Sequence, residues 1–185
     1  DIEIEYSSPA GNGRSIWGGL VPYDQLWRAG ANMVSTISFS TSVMIEGKTV
    51  ERGEYSIFIM PKSKGDWTFI LNRNTELWGV GGYSQDQDVL RVDVPAQSND
   101  TKGPERLRYA VENFDNNGGE IVMEWAGMRL AVPFTVDAHD QAMKNITTAI
   151  KESEKDKMWQ VYRNAARYTV NSGKELERGL EWIQK

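Results

Sequence analysis

Along the first 136 residues, apolar and polar positions alternate in short runs separated by turn residues. Ile2 and Ile4 interleave with Glu3 and Glu5, which predicts a strand with one buried face. From Met33 to Ile45, Ile37, Phe39 and Val43 fall on one side and Thr36, Ser38 and Ser40 on the other, predicting one long strand. Glu46-Gly47-Lys48 is a hairpin turn, and Thr49-Val50 leads to a second turn at Arg52-Gly53. Tyr55 to Met60, stopped by Pro61, and Trp67 to Asn72 flank a short polar loop and form an antiparallel hairpin. Val89 to Val94 alternates as a half-buried strand, and residues 95–104 are turn and polar types that predict a solvent loop. Arg106 to Phe114 and Glu120 to Trp125 enclose the turn Asn116-Asn117-Gly118-Gly119, and a last strand runs from Met128 to Val136. About nine short strands at this spacing predict an antiparallel β-sandwich or jelly-roll-like domain. Strands do not alternate with helices, which argues against a parallel α/β sheet.

The period changes at Asp137, a residue suited to capping a helix that carries Ala138, Ala142, Ile146 and Ile150 on one face. A second helix from about Glu154 carries Trp159, Tyr162, Ala166 and Val170, and Asn171-Ser172-Gly173 ends it. A third places Leu176, Leu180 and Ile183 together with Trp182 at the flank. The last two helices resemble one tetratricopeptide-like hairpin, a unit that cannot bury its own face. The expected organisation is a β-sandwich at 1–136 and a helical appendage at 137–185, packed on the sandwich or on a dimer partner.

Two segments follow neither period. Gly13 to Asn32, GRSIWGGLVPYDQLWRAGAN, mixes tryptophan, tyrosine and arginine with glycine, and Trp78 to Tyr83 reads WGVGGY. Large aromatic rings order a chain by burial, while glycine holds it in turns, so these are rigid loops that build something. The first segment resembles the opening motif of the bacterial domain of unknown function 2911 (DUF2911). Further matches stand at Gly47-Lys48, Gly53-Glu54-Tyr55-Ser56, Met60-Pro61, Trp67, Leu71-Asn72, Trp78-Gly79, Tyr83, Asp88-Val89 and Glu105-Arg106-Leu107. The resemblance covers residues 1–136 and, more loosely, the tail. Ala29 departs from it where threonine is more usual, as does Val34-Ser35 where an acidic residue often stands. It implies no particular activity. It does imply an envelope or secreted protein of a Bacteroidetes-type bacterium, hence a periplasmic or secreted location.

Composition narrows the classes. The chain of 185 residues has a net charge of -5, and phosphate-binding surfaces rely instead on clustered Lys and Arg, so a nucleic-acid partner is not expected. No apolar run approaches the roughly 18 residues of a membrane-spanning helix. The sequence opens at Asp1 without methionine, as a processed product would. With no cysteine, disulfides, zinc thiolate sites and cysteine nucleophiles are absent.

The residues suggest little catalytic chemistry. The one histidine, His139, starts the first helix and reads as a capping or surface residue. Asp86-Gln87-Asp88 and Asp115-Asn116-Asn117-Gly118 offer oxygen ligands without the spacing of a calcium loop, so no metal or cofactor is expected. Glu54, Asp88, Glu105, Glu120 and Glu124 lie on or beside strands, and two of them facing one cleft would suit a glycosidase. Arg14 and Arg28 sit in aromatic, glycine-rich backbone where a buried charge needs a partner. That partner is either a carboxylate such as Glu105 or Asp88, with the guanidinium stacked on Trp17 or Trp27, or a bound ligand. Asn32 and Asn72 either satisfy loop backbone or donate to that ligand.

The leading expectation is a non-catalytic binding module for a carbohydrate or similar polar small molecule. Its site would gather Trp17, Trp27, Arg28, Asn32, Trp78 and Tyr83 at one end of the sandwich, with Arg14, Asp88 and Glu105 as supporting charges. The alternatives are an acid/base glycosidase-like enzyme and a structural or interaction domain, in which the tail forms a homodimer.

Overall fold

The computed structural model describes residues 1–98, 103–115 and 117–185. The chain divides into two compact units, Asp1–Val136 and Asp137–Lys185. Part of the loop expected at 95–104 and Asn116 of the turn expected at 116–119 lie outside the described residues.

The first unit is mainly β and contains two antiparallel sheets. The five-stranded sheet runs in the order β1 (Ile2–Glu5), β2 (Ser35–Phe39), β5 (Gly53–Met60), β6 (Trp67–Asn72), β7 (Asp88–Val94). The six-stranded sheet runs β4 (Lys48–Val50), β3 (Val43–Ile45), β11 (Met128–Val136), β10 (Gly118–Trp125), β9 (Arg108–Glu112), and β8 (Ala96–Ser98) pairs with β11 at Met128 to Leu130, at the opposite end of the strand from β3. Side chains alternate about each strand, so the inward rows of both sheets meet in one core. Ile37, Phe39, Ile57, Ile59, Phe69, Leu71, Leu90 and Val92 come from the five-stranded sheet. Ile121, Met123, Leu130, Val132 and Phe134 come from its counterpart.

The single long strand expected over 33–45 is instead two strands in different sheets. β2 pairs with β1 and β5, whereas β3 pairs with β4 and with Thr135 and Val136 of β11. Ser40 to Ser42 carry the chain across. The alternation is unbroken because both inner faces point to one core: Ile37, Phe39, Val43 and Ile45 remain inside on either side of the crossing. The next turn is as expected, with Glu46 (φ 47°) and Gly47 (φ 72°) in the left-handed geometry of a two-residue hairpin. A further strand, β8, lies within the expected 95–104 loop.

One open side of the sandwich is closed by the segment after β1. Gly11 N–H donates to the Glu105 carbonyl at 2.8 Å, Leu107 N–H to Pro9 at 3.0 Å, and Ser8 Oγ to the Leu107 carbonyl at 2.7 Å. Tyr6 packs edge-on against Tyr109 with centroids 4.9 Å apart. The zipper stops there. Beyond it a largely apolar hollow of about 410 Å3 remains between Ile2, Val43, Val111, Phe114 and Val136.

In the second unit, α1 (Ala138–Glu152) is capped by Asp137, whose carboxylate accepts from the backbone of His139 and Asp140. α2 (Met158–Ser172) ends at Gly173 in left-handed geometry, and α3 (Leu176–Ile183) returns along it. The helix pair crosses at Gly179, where a Cβ would stand 2.0 Å from Thr169 Oγ1. Met143, Ala165, Ala166 and Trp182 form its small core. Among the described residues no helix is long and apolar enough to cross a membrane.

Candidate functional site

The aromatic segment 13–32 is built inward. Trp27 takes the place beside β5 that β2 leaves free below Ser35, exchanging two backbone hydrogen bonds with Ile59 at 2.8 and 2.9 Å. That puts its ring in the core, stacked on Trp125 at 5.9 Å and edge-on to Trp17 at 5.6 Å. Trp17 touches Trp67 as well, at 4.6 Å. Each of the four indole N–H groups donates to a carbonyl: Trp17 to Trp125, Trp27 to Gly30, Trp67 to Lys62 and Trp125 to Glu105. Buried aromatic rings with satisfied N–H groups are packing elements. The expectation that Trp17 and Trp27 line a ligand patch is therefore corrected: they close the core.

After Trp27 the chain turns sharply. Ala29 is fully buried at φ 52°, and its carbonyl accepts from Ser35 Oγ at 3.0 Å and from Tyr109 Oη at 2.9 Å. Gly30 has no room for a side chain, since a Cβ would meet Ser35 Oγ at 2.4 Å. A β-branched residue at 29 would be strained in this left-handed conformation, so alanine is the easier occupant.

The supporting charges also find other partners. Arg14 donates to the carbonyls of Gly11 (2.9 Å) and Ala10 (2.7 Å). Glu105 accepts from Asn12 N–H at 2.5 Å. Asp88 sits on the outer face of the five-stranded sheet and accepts from Asn72 Nδ2 (2.7 Å), Tyr83 Oη (2.7 Å) and Arg91 Nε (3.2 Å). Arg91 also donates to Tyr83 Oη at 2.7 Å. Burial first, then the Asp88 carboxylate, push the Tyr83 phenol up to about 12, with Arg91 acting the other way. Neither arginine of the 13–32 segment pairs with Glu105 or Asp88, so of the two alternatives the sequence offered, the carboxylate partner is not the one the fold uses. Tyr83 and Asp88 instead pin the 73–84 loop to the sheet. Asn72 completes the pin, donating also to the Ser84 carbonyl and accepting from Asn74 N–H. Beneath the loop, Val34, Phe58, Ile70 and Leu77 form a second apolar cluster against Leu26 and Tyr83.

What remains unsatisfied lies at the rim of this pinned loop. Among the described residues, the buried Arg28 Nε has no hydrogen-bond partner and the Arg28 guanidinium forms no ion pair. Its Nη1 lies 3.7 Å from where a Cβ on Gly79 would stand. The neighbouring Trp78 is tied through a backbone bridge to Met33, yet its indole is 69% exposed. Asn32, one residue before Met33, donates to Ser7 Oγ at 3.3 Å. Ser7 and Met33 line a hollow of about 260 Å3 on the sheet's outer face, together with Glu5, Thr36, Glu54 and Thr75. Of the six ligand residues expected, then, the structure gathers Arg28, Asn32 and Trp78 around Met33.

Met33, Glu5 and Thr75 were not legible as site residues. Glu5 reads as the solvated face of an edge strand, and only the register Glu5 to Thr36 to Ser56 places it over this sheet face. Among the described residues no group of three or more His, Cys, Asp or Glu could hold a metal ion.

No curated protein and no solved structure matches the chain. A family model described as a protein of unknown function, DUF2911, matches residues 1–134, from β1 to Phe134 near the end of the last strand. The motif residues quoted from the sequence thus have structural reasons, in the tryptophan core, the Ala29-Gly30 turn and the Asp88 pin, and the chain belongs to the DUF2911 family.

Proposed function

We propose that the β unit is a non-catalytic binding module for a carbohydrate or similar polar small molecule, held at the Met33–Trp78 rim of the five-stranded sheet. One observation carries the reading: the buried Arg28 Nε lacks a partner among the described residues and lies beside a loop that holds a large indole in water. Buried donors are nearly always paired, so this one marks a polar demand that the described residues leave unmet. A fixed, solvent-facing indole suits the apolar face of a sugar ring, as aromatic side chains offer large area at low entropic cost. Hydroxyl-rich ligands also need acceptors, which Glu5 and Glu54 supply on the adjoining hollow. Both carboxylates stand exposed on the sheet face, which favours ligand contact over the split environments of acid/base catalysis. The envelope or secreted location implied by the family resemblance is one where glycans are plentiful.

The test is a glycan array and thermal melts on wild type, Trp78→Ala and Arg28→Ala. Wild type binds at least one glycan, and each variant loses roughly tenfold or more of that affinity, as expected for one stacking or charged contact. Both variants melt within a few degrees of wild type, because Trp78 is exposed and Arg28 Nε and its guanidinium have no side-chain partner among the described residues to abandon. A silent array, or a Trp78→Ala protein that binds unchanged, overturns the proposal. So does an Arg28→Ala protein that no longer folds.

A further inference from the structure

The helical unit carries an apolar face that its three helices leave uncovered. On α3, Gly179 and Trp182 are buried, with Gly179 set against Thr169 of α2, while Leu176, Leu180 and Ile183 are 54%, 63% and 68% exposed. Arg178 and Glu175 line a hollow shared with His139 and Lys144 of α1. At 100° per residue, Leu176, Leu180 and Ile183 therefore point away from α1. On α2, Tyr168 stacks on His139 of α1, and Trp159 and Val170, 56% and 66% exposed, fall nearly opposite Tyr168 around the helix. The five side chains thus share the face of the α2–α3 hairpin that turns away from α1.

We infer that this face is a homodimer interface, and that its occupant is the same face of a second copy. Charge supports a twofold pairing. The α2 margin carries Arg163, which lies over the Trp159 ring at 5.0 Å, and Arg167, while the α3 margin carries Glu177 and Glu181. A twofold axis through the face lays α2 of each copy on α3 of the other, so the basic margin meets the acidic one twice. Area supports it too. At these exposures the five side chains leave roughly 500 Å2 of apolar surface, near the upper limit of patches on monomers. Two copies together then bury on the order of 1,000 Å2, the threshold for a specific interface. The result is a four-helix layer in which each hairpin supplies the cover that the other lacks.

The experiment is sedimentation equilibrium on the full chain across a concentration series, with circular dichroism and melting of every variant. Wild type is expected to dimerise. Leu180→Glu, at the centre of the face and exposed within one copy, keeps its helical signal and melting profile at low concentration but weakens the dimer ~100-fold or more, because the charge is buried twice. Arg167→Glu weakens it less, and adding Glu177→Arg to Arg167→Glu restores it, which only the proposed margin contact predicts. A wild type that stays monomeric at high micromolar concentration overturns the inference. A dimer insensitive to Leu180→Glu does so as well. A Leu180→Glu protein whose monomer melts far below wild type shows the face to be covered within one chain, which also overturns it.

Discussion

Removing the Asp88 carboxylate should loosen the loop that presents Trp78, and the structure fixes the size of the effect. The Asp88 side chain is only 7% exposed, and Asn72 beneath it is fully buried. In Asp88→Ala the Asn72 amide keeps its bond to Ser84, but its second N–H is stranded where water does not reach, at about 1–3 kcal/mol. Tyr83 Oη loses its acceptor while still receiving the Arg91 bond, a further ~1 kcal/mol. Arg91 is 30% exposed and recovers much of its solvation, so its share stays below about 1 kcal/mol. The sum, about 2–5 kcal/mol, is a large part of the stability of a typical domain, and in a chain of this length lowers the melting temperature by on the order of 10 °C. Asp88→Asn keeps the shape and one acceptor oxygen and should lose about half as much.

Urea unfolding followed by tryptophan fluorescence measures both variants, since four indoles report on the β core. Tyrosinate absorbance provides a second reading of the same network. The Tyr83 phenol, held up to about 12, should ionise lower in Asp88→Ala, yet stay above 10 because burial is the larger cause. The folded value lies above the unfolded one, so the network's contribution is complete below pH 10 and fades as pH rises towards 12. An Asp88→Ala loss under about 1 kcal/mol, or an unmoved Tyr83 titration, would refute the reasoning.

Three further outcomes follow from local geometry. Gly30→Ala forces a methyl to within 2.4 Å of Ser35 Oγ and displaces the bond that Ser35 makes to Ala29, so calorimetry should show a loss of about 1–3 kcal/mol. Gly179→Ala drives a Cβ into Thr169 Oγ1 at the α2–α3 crossing. It should lower the helical signal of the second unit on mild heating while the tryptophan transition of the β unit stays in place. On the acid side, Thr68 Oγ1 donates to Asp93 at 2.6 Å and holds its carboxyl below the usual range, ahead of Lys62. Stability from this bond is present above the unfolded carboxyl value and lost as pH falls through the folded one, so Thr68→Val should flatten the acid limb of a stability–pH curve.

The sequence by itself determined which faces of the strands are buried. Ile2 and Ile4, Phe69 and Leu71, and Leu90 and Val92 lie where a period of two puts them, whereas on the last two helices Trp159, Val170, Leu176, Leu180 and Ile183 of the expected faces are exposed and Trp182, expected at the flank, is buried against Ala166. It also determined the Glu46-Gly47 hairpin, the helix stop at Gly173 and the family, because turn chemistry and motifs are properties of neighbouring residues. It could not reveal that the run from Met33 to Ile45 leaves one sheet for the other. Two inner faces that share a core give the same alternation before and after the crossing, so only the pairing with β11 marks it. Nor could it sort the aromatic loops. Trp27 and Trp78 each sit among glycines, and one ring is buried while the other stands in water, because Trp27 is hydrogen-bonded beside Ile59 and Trp78 is bridged to Met33 outside the core. The arginines show the same limit: a charge in an apolar stretch announces that it needs a partner, but not which one. The partners of Asp88 and Glu105 come from chain up to 93 residues away, and contacts at that separation are set by strand order and register. Local periodicity decides which side of a strand is wet. Only the assembled sheets decide what stands opposite it.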